Sequence, residues 1–184
     1  SECCNGEKFV NYWMHNGFVR VNEEKMSKSL GNFFILRDVL DSYRAEEIRY
    51  FIVSSHYRSQ LNYSEEQLDN ARSAMQRLYA ALLDTKPAAL PRGSDYQKRF
   101  EEALDDDFNT ANAVAVLFDL AREINRSKRK PQGRQHELAS LLRHLGGLLG
   151  LLQADAEEFL KSRAGQSDGL SDTAIEDLIA ARLQ

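Results

Sequence analysis

Apolar residues recur at helical spacing along most of the chain beyond residue 64. Repeats at i, i+3 and i+4 place such residues on one face of a helix. The first stripe consists of Leu68, Ala71, Met75, Leu78, Tyr79 and Leu82. Further stripes lie in 100–104, 111–124, 138–152 and 175–183. Because segments rich in proline, glycine or charge separate these stripes, the pattern predicts an antiparallel helical bundle over residues 61–184.

The first 60 residues show a mixed pattern of helices and a strand. The predicted elements are the end of a helix at 7–14, a strand at 18–21 and helices at 36–43 and 45–54. Phe9, Tyr12 and Trp13 give the first segment an aromatic face, and the turn signal Asn16-Gly17 ends it. The sequence therefore predicts a mainly α protein whose α/β-like part ends near residue 60.

Two runs of like charge flank the predicted helix at 111–124. Asp105, Asp106 and Asp107 lack the spacing of a calcium-binding loop, which favours a solvated loop at a helix N-terminus over a cation site. Residues 126–130, Arg-Ser-Lys-Arg-Lys, carry cations that suit a helix C-terminus. Contact with RNA phosphate is the alternative for this basic run, and the sequence favours the first interpretation.

Two serines and one polar connector carry further local signals. Ser64 with Gln67 and Ser94 with Gln97 predict capping boxes at helix starts.

The connector, residues 56–63, is rich in aromatic and hydrogen-bonding side chains. Its composition is equally compatible with a substrate or RNA surface and with a packed hinge between domains.

Composition narrows the class of protein. The chain has 184 residues, a formal net charge of −4 and 42% hydrophobic residues, which is typical of a globular protein without a general nucleic-acid coat. No apolar run approaches a membrane span and no secretory signal is present, so we expect a cytoplasmic protein with no membrane partner. The adjacent Cys3 and Cys4 lack the spacing of metal ligands, which predicts free thiols.

The segment 25–32, Lys-Met-Ser-Lys-Ser-Leu-Gly-Asn, carries the strongest candidate chemistry. Lys25 and Lys28 bring two ammonium groups near the hydroxyls of Ser27 and Ser29, a set that can converge on a polyanion. Gly31 permits a positive φ or a close approach of the backbone to a ligand. The segment is predicted to be a mobile loop between a strand and a helix, at the edge of a nucleotide site.

This segment matches, letter for letter, the KMSKS signature loop of class I aminoacyl-tRNA synthetases. Segments 9–17, 56–67 and 105–125 further resemble the bacterial cysteinyl-tRNA synthetase family. The resemblance extends from the first residues to the fifth helix and is less distinct beyond Leu152. The signature loop alone indicates class I, whereas the other segments select the cysteine enzymes.

The resemblance implies a fold and a reaction. Residues 1–60 would be the C-terminal remnant of a Rossmann-type catalytic domain with its stem-contact helices, and 61–184 a DALR-type bundle that binds tRNA. The implied reaction is ATP-dependent activation of cysteine to cysteinyl-adenylate, followed by transfer to tRNA(Cys), by a monomer that uses Mg²⁺ and a zinc ion for the substrate thiolate. Lys28 would bind the ATP phosphates, Lys25 would help close the loop, and Met26, Ser27 and Ser29 would complete the ATP-binding segment.

Several parts of that family are missing from the sequence. There is no HIGH-type tetrapeptide, the zinc ligands are expected upstream of Ser1, and no anticodon-reading module follows the bundle. We therefore expect an internal portion of a longer enzyme, one that lacks the N-terminal catalytic half and does not charge tRNA alone. Two alternatives stay open: a ligase that joins cysteine to an amino-sugar, and a non-catalytic RNA-binding helical module.

Overall fold

The computed structural model describes residues 1–25, 35–130 and 134–161. In chain order its elements are α1 (Glu2–Asn5), β1 (Val19–Val21), β2 (Glu24–Lys25), α2 (Leu36–Ser42), α3 (Ala45–Val53), β3 (Leu61–Tyr63), α4 (Glu65–Leu82), α5 (Asp95–Asp105), α6 (Thr110–Ser127), α7 (Gln135–Leu148) and α8 (Ala156–Lys161). The predicted helix beginning near Asp172 lies outside the described residues. The mainly α class predicted from the sequence is confirmed.

The three strands form one small sheet in the order β2-β1-β3. β1 and β2 make an antiparallel hairpin, whereas β1 and β3 run parallel, with Val19 opposite Leu61 and Val21 opposite Tyr63. Parallel neighbours need a crossover connection, and here α2 and α3 lie within it. The arrangement is α/β-like, but β2 and β3 were not predicted, and β3 lies beyond the first 60 residues to which the sequence assigned this part.

A small apolar core joins this sheet to the first helices. It consists of Val39, Ile48, Phe51, Leu68 and Ala71, all buried. These residues come from α2, α3 and the first half of α4, and the Tyr63 ring of β3 packs edge-on against Phe51 at 6.3 Å between ring centroids. The amphipathic spacing of 36–54 therefore predicted both helices, although Leu40 and Ile52 on their apolar faces remain 43% and 54% exposed.

The larger core lies in the bundle, where α6 packs against α4, α5 and α7. All six residues of the predicted α4 stripe are buried. From the other helices, Phe100, Leu117, Leu120, Leu141 and Leu142 are fully buried. Full burial of one such side chain contributes roughly 1.5–3 kcal/mol, so these interlocking stripes dominate the stability of the bundle.

The bundle has two ends with different surroundings. At one end, which we call the junction end, Thr110 donates a hydrogen bond from Oγ1 to the Ser55 carbonyl at 3.3 Å, just beyond α3. At the other, the outer end, Lys128 Nζ donates to the Leu83 carbonyl at 2.6 Å, where α4 and α6 both finish. The 18 residues of α4 separate the two ends by about 27 Å at about 1.5 Å per residue.

Helix α7 ends four residues before its predicted stripe does. The Leu151 N–H reaches the Gly146 carbonyl at 2.9 Å and the Gly150 N–H reaches the Gly147 carbonyl at 2.9 Å, the two bonds of a Schellman motif. Gly150 takes φ +69°, which glycine adopts without steric cost. A Cβ on Gly146 would lie 2.8 Å from Cδ1 of Leu152, so this turn also needs a close approach.

The predicted helix over 7–14 is wrong. The only helix near it is α1, and the backbone of 7–14 is irregular. Phe9, Tyr12 and Trp13 are 57%, 88% and 74% exposed, so no described residue covers the aromatic face that suggested the helix. Aromatic and β-branched residues have weak helix propensity, and without tertiary packing the spacing alone does not hold a helix.

The two predicted N-terminal caps have different outcomes. Ser64 Oγ accepts the Gln67 N–H at 3.2 Å and caps α4 as predicted. Ser94 makes no side-chain cap bond at the start of α5. There the Gln97 side chain donates instead to Glu101 one turn onward at 2.9 Å, which removes it from the reciprocal bond of a capping box.

Candidate functional site

The hairpin that leads into the signature loop has a tight, tethered turn. Arg20 pairs with Lys25 across it, and Asn22 and Glu23 take φ +49° and +68°, the left-handed region used by two-residue hairpin turns. The Glu23 N–H donates to Asn62 Oδ1 at 2.8 Å. The Asn22 N–H donates to the β3 carbonyl of residue 63 at 3.0 Å. β3 therefore fixes the strand that ends at Lys25.

Of the predicted site residues, the structure places the backbone of Lys25 alone. Lys25 is the last residue of β2, which agrees with a loop that follows a strand. Met26, Ser27, Lys28 and Ser29 lie outside the described residues. The roles assigned to all five residues therefore stay predictions.

One apolar cavity lies between α2, which follows the loop, and β1, which pairs with the strand before it. A cavity of about 210 Å³ is lined by Val19 and Val21 from β1, by Leu36 and Val39 from α2, and by residues of α3, β3 and α4. The described chain resumes at Ile35, one residue before α2. The strand before the loop and the helix after it are thus held to one scaffold.

A buried carboxylate connects α3 to α4. Glu47 is 3% exposed, and its Oε2 accepts the Arg44 N–H at 3.0 Å at the start of α3. The same oxygen lies 3.5 Å from Nε of Arg72 on α4. Arg72 also donates to the Ser42 carbonyl at 2.6 Å, so one guanidinium ties the end of α2 and the start of α3 to the bundle. Glu46 and Glu47 both lie in the first turn of α3, where acids favour a helix N-terminus, and no local pattern marks Glu47 as the buried one.

A second polar seam ties α3 to the segment after α7. Tyr79 of α4 donates its hydroxyl hydrogen to Glu46 at 2.6 Å and accepts the Ala154 N–H at 3.0 Å. Glu46 also accepts the Gln153 N–H at 2.8 Å. Burial, and next the bond to Glu46, raise the pKa of Tyr79 above its ordinary value of 10.0. We call Glu46, Tyr79, Gln153 and Ala154 the Tyr79 seam.

The connector at 56–63 joins the sheet to the bundle. Tyr57 donates its hydroxyl hydrogen to Asp107 at 2.7 Å, and Arg58 Nε lies 2.7 Å from the same carboxylate. These bonds, that from Tyr57 first, lower the pKa of Asp107 below its ordinary 3.8. His56 stacks on Tyr57 and lies 3.8 Å from Asp107. Of the two interpretations left open by its composition, these contacts support the packed hinge.

Asp107 is a residue whose role the sequence did not reveal. It takes φ +52° in the turn between α5 and α6, and its side chain faces the connector. The prediction of a solvated acidic loop was therefore right about the exposure of these residues, but it missed the bonds between Asp107 and the connector. The signal was present in the Tyr57-Arg58 pair, because a phenol and a guanidinium side by side suit one carboxylate.

A cavity of about 400 Å³ lies beside this connector. It is bounded by Met14 and Gly17 before β1, by Ile52 at the end of α3, and by Phe108 and Thr110 at the start of α6. Gly17 is packed against the connector backbone, since a Cβ there would lie 2.0 Å from the Ser59 carbonyl oxygen. The cavity marks the line along which the sheet and the bundle meet.

Metal-ligand groups and membrane helices were also sought in the described part of the chain. Nowhere in 1–25, 35–130 or 134–161 do three His, Cys, Asp or Glu side chains gather as a metal site. Cys3 and Cys4 are exposed free thiols. Across the same residues, every helix is too short or too polar to cross a membrane.

Two protein families match separate segments of the chain. Residues 1–73 match the tRNA synthetases class I (C) catalytic domain. Residues 99–153 match the DALR domain. The first match contains the hairpin, α2 and α3, and the second contains most of α5, α6 and α7.

Known relatives match over the whole chain. It is 58% identical over 189 residues to the cysteine–tRNA ligase of Methylococcus capsulatus. It is 59% identical over 186 residues to that of Thioalkalivibrio sulfidiphilus, and 53% identical over 184 residues to that of Erwinia tasmaniensis. Each match covers 100% of this chain and 40% of the relative, so the chain spans well under half the length of these proteins.

A solved structure shares the fold. It is the LeuRS of Agrobacterium radiobacter K84 in a ternary complex with tRNA and LeuAMS, with a TM-score of 0.56 and 15% identity. The match covers 91% of this chain and 29% of that one. The chain is therefore homologous, along its whole length, to a portion of the cysteine–tRNA ligases that joins a class I catalytic-domain segment to a DALR domain.

Proposed function

We propose that this chain is part of an enzyme that attaches cysteine to tRNA(Cys). Cysteine and ATP give cysteinyl-adenylate and pyrophosphate, and the cysteinyl group then passes to the 3′ end of the tRNA with release of AMP. The observation that carries the proposal is 53–59% identity, over the entire chain, to relatives named cysteine–tRNA ligase. These relatives favour the tRNA ligase over the amino-sugar ligase and the non-catalytic RNA-binding module.

Within this reaction we assign Lys28 to the ATP phosphates. Its ammonium group would offset the charge that grows on the leaving pyrophosphate, an effect that accelerates the step only where it strengthens in the transition state. Lys25 would help close the loop, and Met26, Ser27 and Ser29 would line the ATP site. The tethered hairpin before Lys25 supports this assignment, because a group that stabilises a transition state must be presented from a fixed position.

The proposed enzyme uses ATP with Mg²⁺, and zinc to bind the substrate thiolate. The part of the chain that the structure describes offers no group of residues fitted to either metal. We further propose a cytoplasmic monomer in which the catalytic remnant ends near residue 60.

The assignment of Lys28 can be tested in a chimaera. The homologous segment of the Methylococcus capsulatus ligase would be replaced by these 184 residues, at 58% identity, and assayed by cysteine-dependent ATP–pyrophosphate exchange. Lys28→Ala should slow exchange by roughly 100- to 1000-fold, as loss of one preorganised donor does. An unchanged rate would remove Lys28 from the mechanism.

Matched controls separate chemistry from folding and identify the acceptor. Lys8→Ala removes an exposed lysine far from the loop in sequence and should leave exchange unchanged. The chimaera should transfer cysteine to tRNA(Cys), whereas transfer to an amino-sugar would support the alternative ligase. The isolated 184-residue chain should show no exchange, and exchange by that chain would contradict the expectation that it is incomplete.

A further inference from the structure

The outer end of the bundle gathers cations from separate parts of the chain. The linker after α4 passes the start of α7, where the Lys86 N–H donates to His136 Nδ1 at 3.0 Å. Lys128 reaches the Leu83 carbonyl at the same end, and Arg129 and Lys130 follow directly. The fold therefore brings Lys86 beside the basic run at 126–130, which lies 40 residues or more away in sequence.

The cations of α5 and α6, and Arg134 at the start of α7, are already paired with acids. These pairs are Lys98–Glu102, Arg99–Asp119, Arg122–Asp119, Arg126–Glu123 and Arg134–Glu137. Lys86, Arg129 and Lys130 are exposed and form no ion pair with any described residue. At this end the carboxylates of Glu123 and Glu137 are already engaged by Arg126 and Arg134.

A purely structural role accounts for Lys128 but not for its neighbours. The Lys128 ammonium satisfies the carbonyl that follows the last residue of α4, a favourable place for a cation. Arg129 and Lys130 follow Ser127, the last helical residue of α6, and their side chains bond to no carbonyl or carboxylate among the described residues. No described group therefore neutralises their charges.

We propose that Lys86, Arg129 and Lys130, which we call the outer basic patch, bind the phosphate backbone of the tRNA. The choice of tRNA rests on the proposed function, and the location rests on the geometry described here. Exposed, unpaired Lys and Arg are the groups that neutralise phosphates and release counterions. The chain carries a net charge of −4, so such a patch gives a local attraction that the chain as a whole does not.

The patch would give the bundle a second point of contact with the same tRNA. It lies about 27 Å along α4 from the junction end, at about 1.5 Å per residue over 18 residues. Backbone contacts fix orientation and register without reading sequence. The outer basic patch would therefore orient the tRNA along the bundle, whereas recognition of the cysteine-specific bases would come from elsewhere.

The test is the salt dependence of tRNA binding by the 184-residue chain. Fluorescence anisotropy with a labelled tRNA(Cys) transcript would compare wild type with Lys86→Gln/Arg129→Gln/Lys130→Gln. Three phosphate contacts contribute roughly 2.7 to the slope of log K against log salt, so the triple variant should have a shallower slope by about two to three. Between about 50 and 200 mM salt, wild type should lose about 40-fold more affinity than the variant.

A matched triple variant removes the same net charge from paired positions. Lys98→Gln/Arg122→Gln/Arg126→Gln should change the slope by less than about 0.5, because these cations already have carboxylate partners. Thermal melting would verify that both variants fold, which is expected because all six side chains are exposed.

Each other outcome overturns the inference. If the wild-type chain binds tRNA and the two triple variants have equal slopes, the patch does not contact phosphate, and the proposed reaction is unaffected. If wild type binds no tRNA, the patch proposal fails, while pyrophosphate exchange still tests the reaction independently. If duplex DNA with the same number of phosphates competes as well as tRNA, the patch is a general polyanion surface and the assignment to tRNA is wrong.

Discussion

Tyr79→Phe isolates the contribution of a single oxygen atom to the Tyr79 seam. The substitution keeps the ring, which stacks on Phe159 with 3.8 Å between centroids and 18° between planes. It removes the hydroxyl that donates to Glu46 and accepts from Ala154. Because volume and stacking are preserved, the measured loss reports the two hydrogen bonds.

The expected loss in the free energy of unfolding depends on what happens to each hydrogen-bond partner once the hydroxyl is gone. A bond to a charged acceptor contributes about 1.5–3 kcal/mol, and Glu46 is half-buried and keeps the Gln153 bond, so the lower value applies. The Ala154 N–H loses its acceptor, which costs about 1 kcal/mol of stability. We expect the free energy of unfolding to fall by about 2.5 kcal/mol, which lowers Tm by about 5–10 °C for a chain of this size.

Urea unfolding followed by circular dichroism measures this change. Tyr50→Phe is the control, because Tyr50 is half-buried and, like Tyr79, packs against an aromatic ring, but its hydroxyl bonds to no described residue. The control should cost less than about 0.5 kcal/mol. Equal losses in the two variants would refute the claim that the seam hydroxyl holds α3 to the bundle.

The difference in stability between wild type and Tyr79→Phe should also depend on pH. Because the fold raises the pKa of Tyr79 above 10.0, the neutral phenol stabilises the native state below that pH, and its contribution declines as pH rises above it. The advantage of wild type over Tyr79→Phe should therefore shrink by about 1.4 kcal/mol between about pH 9 and pH 11. A constant advantage across that range would contradict the assigned environment.

Two further predictions concern the junction. Gly17→Ala would place a Cβ 2.0 Å from the Ser59 carbonyl oxygen, so the pairing of β1 with β3 should open. Amide hydrogen exchange at Leu61 should then accelerate by about 10-fold or more. Gly6→Ala is the control, because its Cβ meets no atom within 4 Å and should leave that exchange unchanged. Asp107→Asn removes a carboxylate whose pKa is lowered in the folded protein. The ionised carboxylate stabilises the fold at pH values above its ordinary pKa of 3.8, and this stabilisation is lost as the pH falls below that value. Wild type should therefore lose more Tm than Asp107→Asn between about pH 5 and pH 3, and parallel losses would show that the connector bonds do not stabilise the hinge.

The helices were predictable from the sequence because their stability comes from periodic burial. The stripe of α4, its Ser64 cap and the helices at 36–42 and 45–53 all follow from spacing and local chemistry. The segment 7–14 has a helical spacing of aromatics too, yet its aromatic side chains are exposed and no helix forms. Periodicity therefore predicts a helix reliably only where a partner surface exists.

Polar contacts between distant residues were not predictable in the same way. Glu47 with Arg72 and Asp107 with Tyr57 join positions 25 and 50 residues apart. Nothing in a local window distinguishes a carboxylate that will be paired from one that remains solvated. For the candidate site, the sequence supplied all five loop residues through family resemblance, and the structure adds the anchoring of the strand that ends at Lys25.

The return of the chain at the Schellman turn has a consequence for the order of folding. It brings Gln153 back to Glu46 and Phe159 back to Arg44 across separations of 107 and 115 residues. Closing loops of that length costs conformational entropy that contacts within α5, α6 and α7 do not incur. We therefore expect α8 to dock late, after α4 to α7 have packed, and to add its contacts to those that already hold α3 against α4.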